Sequence, residues 1–520
     1  MTSHADHPGA MPMTHPGLPW EWAYLVWTVM GLLYFWMIIR PSVQPTPTGH
    51  LAIARMPVLG SLIRYTSVRP AFLVVTKLIF VTIFLVIIAA GLYGTPFPER
   101  NAATILTWNL WWTGLVLLVV LTGSAWCSIC PWNTLANWLV KRKLWRRAGS
   151  NSSLNLRLPK SLRTVWPALF LLIALTWLEL GAGVTTDPFA TAILALMMVV
   201  LATASLAIFE RNGFCNYFCP VGRTVGFYAQ LAPIELRPID PGICARCTTL
   251  ECYNGSSDVD PCPTRLVMGR LKQNTYCTSC GNCARSCHDQ NVAWRLRSPS
   301  AEAIQDARPH WDEAWFIIAL LALTGFHGLT MLSDWQAALV EVARALGTGE
   351  HLLVSFTGSL IAALALPALV YGIFVWFVWR IGPAKENYRT LFCRFAFVAL
   401  PLAFAYHLAH NLNHLLREGS GLWTVLQNPL GIGTLPASMA EKHMRMMEMI
   451  VSPGTLHAIQ ALLLITGVVV ANRVIQRRSY SLATDSPWQR RAMVMQISAF
   501  SFLVTAFHLW LLMQPMAMRL

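Results

Sequence analysis

Residues 71–94 read AFLVVTKLIFVTIFLVIIAAGLYG, an unbroken apolar run with one charge, Lys77, and no proline. At a rise of about 1.5 Å per residue this run is long enough to cross a hydrocarbon core of roughly 30 Å. It predicts a membrane helix. Working outward, apolar runs near spanning length recur at 22–39, 105–126, 165–184, 190–209, 314–332, 352–379, 392–414, 455–472 and 492–512. The fold class is therefore an all-α polytopic membrane protein of about ten transmembrane helices, interrupted by a small hydrophilic insert. A chain that is 55% hydrophobic and 12% charged belongs in lipid.

Orientation follows from the basic residues. Of the 39 Lys and Arg, 32 fall in the alternate connections 40–69, 127–164, 210–313, 380–394 and 473–491. Basic residues gather in cytoplasmic loops. The expected location is the cell's inner (cytoplasmic) membrane, with both termini and the loop 415–454 outside. The net charge of +15 has the same origin and does not argue for nucleic acid. Residues 1–19 lack the basic start of a cleavable signal, so the first apolar run is expected to stay as a helix. Four regions result: an outer His/Met-rich segment 1–21, a five-helix half 22–235, a cytoplasmic domain 236–300 and a second five-helix half 301–520.

Twelve of the 13 cysteines lie between Cys127 and Cys287 in short-spaced groups, which points to metal ligation rather than disulfides. The run Cys277-x2-Cys280-x2-Cys283-x3-Cys287 has the spacing by which one loop wraps three corners of a cubane and sends its fourth Cys to a neighbouring cluster. Upstream, Cys244-x2-Cys247-x4-Cys252-x9-Cys262-Pro263 supplies the partner set. One [4Fe–4S] cluster then takes Cys244, Cys247, Cys252 and Cys287, and the other takes Cys262, Cys277, Cys280 and Cys283. A pair of zinc sites is the alternative for such C-x2-C pairs, and the two-cluster order of eight Cys speaks against it. Two further pairs, Cys127-x2-Cys130-Pro131 and Cys215-x3-Cys219-Pro220, each follow a helix that returns to the cytoplasmic face. Four thiolates at one depth suit a further metal or a redox-active pair, where a plain helix stop needs only the proline. Cys393, alone in a later helix, reads as a packing residue.

The insert together with the two Cys-pair-Pro motifs resembles the membrane polyferredoxins of the NapH, NosR and CcoG type, over about residues 70–300. That resemblance implies 4Fe–4S electron transfer linking quinol or cytoplasmic donors to nitrate or nitrous oxide respiration or to copper handling. The chain departs from the pattern at Cys127-x2-Cys130, where x3 is usual, and at His288, where proline usually follows the last ligand. The second half lies outside the resemblance.

Histidine is costly inside a membrane helix unless it binds something or faces a polar cavity. The outer thirds of four helices carry His327, His407, His410, His414, His457 and His508, with His407, His410 and His414 on one helical face. Two of them on facing helices can hold a haem b. Copper is the alternative, favoured by outer Met and His residues: His4, His7, Met11, Met13 and His15; His443, Met444, Met446, Met447 and Met449; Met513, Met516 and Met518.

The expected function is that of an oxidoreductase component. It would pass single electrons between a quinol or a cytoplasmic ferredoxin donor and a haem or copper centre, or a redox partner protein, at the outer face. A copper reductase or cuproprotein assembly factor and a redox-sensing membrane regulator are the rivals. No residue in the sequence marks a quinone site.

Overall fold

In a computed structural model of the protein, the described residues are 14–40, 49–53, 56–141, 153–349, 351–382, 386–447, 449, 451–480, 482 and 486–517. His4, His7, Met11, Met13 and Met518 lie outside them, as do the side chains of Met446 and Met447.

Among the described residues nine helices are long and apolar enough to cross a membrane, and a tenth is shorter. In chain order they are α1 Trp20–Ile39, α2 Pro70–Tyr93, α3 Ala102–Thr122, α4 Trp166–Gly181 and α5 Pro188–Ile208. After the insert come α6 Trp311–Thr330, α7 Leu352–Ile381, α8 Tyr388–Arg417, α9 Pro453–Tyr480 and α10 Pro487–Met513. Their starts carry ordinary capping chemistry. The side chains of Asp187, Asn387 and Ser486 accept from the backbone N–H groups of Ala190, Thr390 and Gln489 at 3.0, 2.7 and 3.1 Å. Proline occupies the first turn of α2, α5 and α10, where its missing N–H costs nothing. The short member, α4, ends in a π-helical turn at Trp177–Gly181. At about 1.5 Å per residue it falls short of the bilayer core, and its last turn carries the buried Glu179.

The division into two five-helix halves is corrected at α1. Its buried face, Met30, Tyr34 and Met37, packs into the core formed with α9 and α10. The Tyr34 hydroxyl donates to Ser501 Oγ at 2.6 Å. Hydropathy is nearly uniform around α1, so the sequence held no mark of which neighbour it would choose. The chain ends are joined as well: β1, Thr14–His15, pairs antiparallel with β5, Met516–Ala517. The innermost helix is α8, with 89% of its spanning window buried.

The insert is built on a three-stranded antiparallel sheet of β2 His50–Ala52, β3 Ile234–Pro238 and β4 Val292–Arg297, in the order β2-β4-β3. The domain therefore reaches beyond 236–300 to include a strand from the connection between α1 and α2. Beneath the sheet Arg237 pairs with Glu302 at 2.9 Å, Arg297 with Glu235 at 2.9 Å and Arg295 with Glu235 at 2.6 Å. Glu302 also accepts the Asn274 N–H at 2.7 Å, and Arg237 donates to Asn274 Oδ1 at 2.8 Å. This network fixes the turn that leads into Cys277.

Candidate metal centres

The loop 277–283 owes its shape to two left-handed positions, Ser279 (φ +49) and Gly281 (φ +75), which coil the backbone tightly. Cys262, Cys277, Cys280 and Cys283 consequently line one small pocket with Leu236, Leu266 and Met268. Their thiols interact electrostatically with one another. Cys244, Cys247, Cys252 and Cys287 form the second mutually interacting set. The structure brings together the same two fours that the spacing groups. Gly269 lets the backbone pass Cys244, since a Cβ there would stand 2.6 Å from the Cys244 Cβ. Each set fits a cubane, in which every thiolate bonds a separate corner. This also explains why no three His, Cys, Asp or Glu among the described residues converge on a single ion.

Burial pushes the Cys277 thiol up to about 11, against the pull of Arg237, and burial likewise raises Cys244, Cys252, Cys280 and Cys283. Such thiols become thiolates readily only beside a cationic core. Hydrogen bonds onto sulfur come from Asn291 Nδ2 to Cys244 at 3.4 Å, Leu266 N to Cys262 at 3.3 Å and Ser279 N to Cys277 at 3.4 Å. Bonds of this kind raise the potential of a cluster they touch.

The two membrane motifs come together. Cys127, Cys130, Cys215 and Cys219 are electrostatic neighbours, and Cys127 also interacts with Cys277 of the insert. Cys219 caps the short helix Pro220–Tyr228, accepting the Gly222 N–H at 3.2 Å. Arg223 of that helix, 1% exposed, donates to the carbonyl of Cys215 at 3.1 Å and to that of Thr275. Its neighbour Gly226 abuts the same carbonyl, 2.2 Å from where a Cβ would lie. Lys77, alone in its apolar run, lies near Cys280 and Asp260, where α2 meets the insert.

A cavity of about 490 Å³ opens beside this site. Cys130, Pro131 and Trp126 line the end beside the Cys motifs, Phe84 and Trp111 the middle, and Glu179 and Thr191 the opposite end. Its wall is otherwise almost wholly apolar.

On the far side of the bundle from the insert, the structure gathers some of the predicted histidines and leaves others apart. His410 lies 5.2 Å from His327 and 4.9 Å from His414 between ring centroids, and His15 follows 5.6 Å from His414. His508 stacks on Tyr406 at 4.3 Å, and His457 stands on the Arg417 side. His407 instead turns to Tyr228, 3.0 Å from its hydroxyl. The pocket lined by His327, His407 and His410 measures about 40 Å³. That is room for two or three waters, and a porphyrin does not fit. Cys393 is buried among Tyr371, Phe392 and their neighbours, as a packing residue.

A membrane bundle carrying twelve grouped Cys, eight of them in ferredoxin order, defines a membrane-bound iron–sulfur protein. Residues 104–148 and 189–232 match the family described as a 4Fe-4S binding domain, and these segments hold Cys127, Cys130, Cys215 and Cys219 rather than the insert. The chain is similar to the putative electron transport protein YccM of Escherichia coli (strain K12), 28% identical over 155 residues. The likeness covers 28% of this chain and 38% of that protein's length. No solved structure matches. Both findings agree with the resemblance to membrane 4Fe–4S electron-transfer proteins.

Sequence reading missed Arg223, Tyr228 and Glu179 as parts of these sites, and it named His15 only among the outer Met and His residues that favour copper. For Glu179 the signal was available, because an ionisable residue inside an apolar span is a functional candidate by default.

Proposed function

We propose that the chain moves electrons between a quinol held in the 490 Å³ cavity and a soluble one-electron partner, by way of the four membrane-boundary Cys and the two insert clusters. The observation that carries this reading is contiguity: Cys130 lines the cavity, and Cys127 of the same motif interacts with Cys277. The cavity is apolar and of the size that takes a ring with an isoprenoid tail. The four-Cys site is read as a third iron–sulfur centre, since the matched 4Fe-4S family falls on it. A ferredoxin-like partner would meet the half-buried Cys244 and Cys247 on the cytoplasmic side. When bound, the clusters supply one-electron redox chemistry, and the protein supplies burial and hydrogen bonds to sulfur.

The test is anaerobic mixing of oxidised protein with decylubiquinol, followed by electron paramagnetic resonance. Reduced cluster signals are expected. Clusters that dithionite reduces and decylubiquinol leaves oxidised would overturn the quinol reading.

A second reading, electron delivery to copper at the outer face, is favoured by the spacing of His327, His410 and His414, whose rings stand 5.2 and 4.9 Å apart. Imidazoles sharing one ion at about 2.0 Å take centroid separations of this order. Copper in protein purified without added metal would support it.

A further inference from the structure

Glu179 is the sole acid of α4 and is 9% exposed. It forms part of the wall of both cavities, the apolar one of about 490 Å³ and a mixed one of about 40 Å³. The smaller cavity continues past Thr176, Thr324 and Asn411 to His327 and His410. From His410 the imidazoles run in series through His414 to His15, at centroid separations of 4.9 and 5.6 Å. His15 belongs to β1, on the side that the basic-residue pattern places outside.

We infer that Glu179 and the series His327, His410, His414 and His15 form a proton path that carries the protons of quinol oxidation from the membrane cavity toward the outer face. The inference rests on the quinol reading above. Oxidation of a quinol to a quinone releases two electrons and two protons. The electrons leave one at a time at the Cys130 end, bound for a soluble one-electron acceptor on the cytoplasmic side. The protons have no acceptor on the aromatic and aliphatic wall. Glu179 is the carboxylate in that wall, and it takes them in turn.

Neutral imidazole accepts a proton at one nitrogen and releases one at the other, so rings in series relay protons without moving far. Separations near 5 Å between centroids bring ring nitrogens within reach directly or through one water, and the small cavity has room for two or three. At the outer end Arg417 donates to Asn413 Oδ1 at 2.8 Å, and Asn413 Nδ2 stands 3.0 Å from His15 Nε2. A fixed guanidinium there disfavours a second positive charge and hastens release. Electrons and protons thus part in opposite directions across the membrane.

The test uses the full chain in sealed vesicles with decylubiquinol as donor and ferricyanide, which does not cross lipid, outside. Only molecules with the insert facing outward react, so their outer face is the lumen, and a trapped pH dye reads it. The wild type should acidify the lumen by two protons per quinol oxidised. Glu179→Gln should slow quinol oxidation at least about tenfold, with clusters still reducible by dithionite. His410→Gln should cut lumen acidification more than it cuts quinol oxidation. Protons released outside the vesicle by the wild type, or unchanged lumen acidification in both variants, would overturn the path while leaving the quinol reading intact. No oxidation of decylubiquinol by the wild type would remove both. Stoichiometric copper lost on His410→Gln would also overturn the path.

Discussion

Ser124, three residues before Cys127, shares a 2.8 Å hydrogen bond with Ser279, two residues after Cys277. The four-Cys site and the loop of Cys277 are thus held by side-chain bonds as well as by chain proximity. Arg223 makes the second tie, through the carbonyls of Cys215 and Thr275, with its guanidinium 4.7 Å from the centre of the Tyr276 ring.

Arg223→Met keeps the length of the side chain and removes its donors, leaving two buried carbonyls without that partner. The expected cost is about 2–5 kcal/mol. In detergent the denaturation midpoint should fall, and iron should be lost first from the cluster of Cys277. A midpoint and iron content equal to the wild type would show that the tie is unimportant.

Iron content tests how many centres the chain holds. Two insert cubanes account for about eight irons per chain, and a third cluster at the membrane motifs raises this to about twelve. Cys215→Ser should bring the count back toward eight, with the spectra of the insert clusters unchanged. Cys280→Ser should remove or convert one insert cluster and leave the signal from Cys244, Cys247, Cys252 and Cys287. Eight irons in both the wild type and Cys215→Ser would make the membrane motifs a thiol pair instead.

Burial pushes the Glu235 carboxyl up, but Arg237, Arg297 and Arg295 outweigh burial and hold it below the usual carboxylate range. A carboxyl depressed in the fold contributes stability that is present above its unfolded value, about 4.3, and is lost as pH falls through the folded value. Glu235→Gln should therefore lower stability by about 1–3 kcal/mol near pH 7. The gap between variant and wild type should close below about pH 4. Denaturation midpoints of the two proteins across pH measure it, and a gap that stays constant into acid would refute the linkage.

The helices and the grouping of the insert cysteines were legible because their signals are local. An apolar run announces itself, and Cys277, Cys280 and Cys283 sit on one loop. The partner of α1 was hidden, since a helix apolar all round carries no address. The cavity was hidden too: its walls come from Phe84, Trp111, Cys130, Glu179 and Val425, and a gap between side chains leaves no trace in any one segment. The histidines were visible one by one, whereas the divergence of His407 toward Tyr228 and the arrival of His15 depend on tertiary packing.

Pairing of β1 with β5 puts the two ends of the chain on one face, as an even number of crossings requires. The partition of basic residues predicts that this face is the outer one. A reporter active only in the cytoplasm, fused after Leu520, should stay silent, and the same reporter inserted near Ser257 in the insert should be active. The reverse pair of results would invert the orientation and turn the His series toward the cytoplasm.

Gly114 lines the 490 Å³ cavity from within α3, and a Cβ built there meets nothing within 4 Å. A larger side chain at this position projects into the cavity without displacing backbone. Gly114→Phe also removes a glycine from a helix interior, which favours the helix by a few tenths of a kcal/mol. Folding and cluster content should therefore be preserved while the space for a quinol ring and tail shrinks. The KM for decylubiquinol should rise at least about tenfold, the loss expected when about 1.4 kcal/mol of uniform binding is removed. Dithionite, which needs no cavity, should reduce the clusters as before. An unchanged KM in a variant of normal iron content would place the quinol elsewhere on the protein.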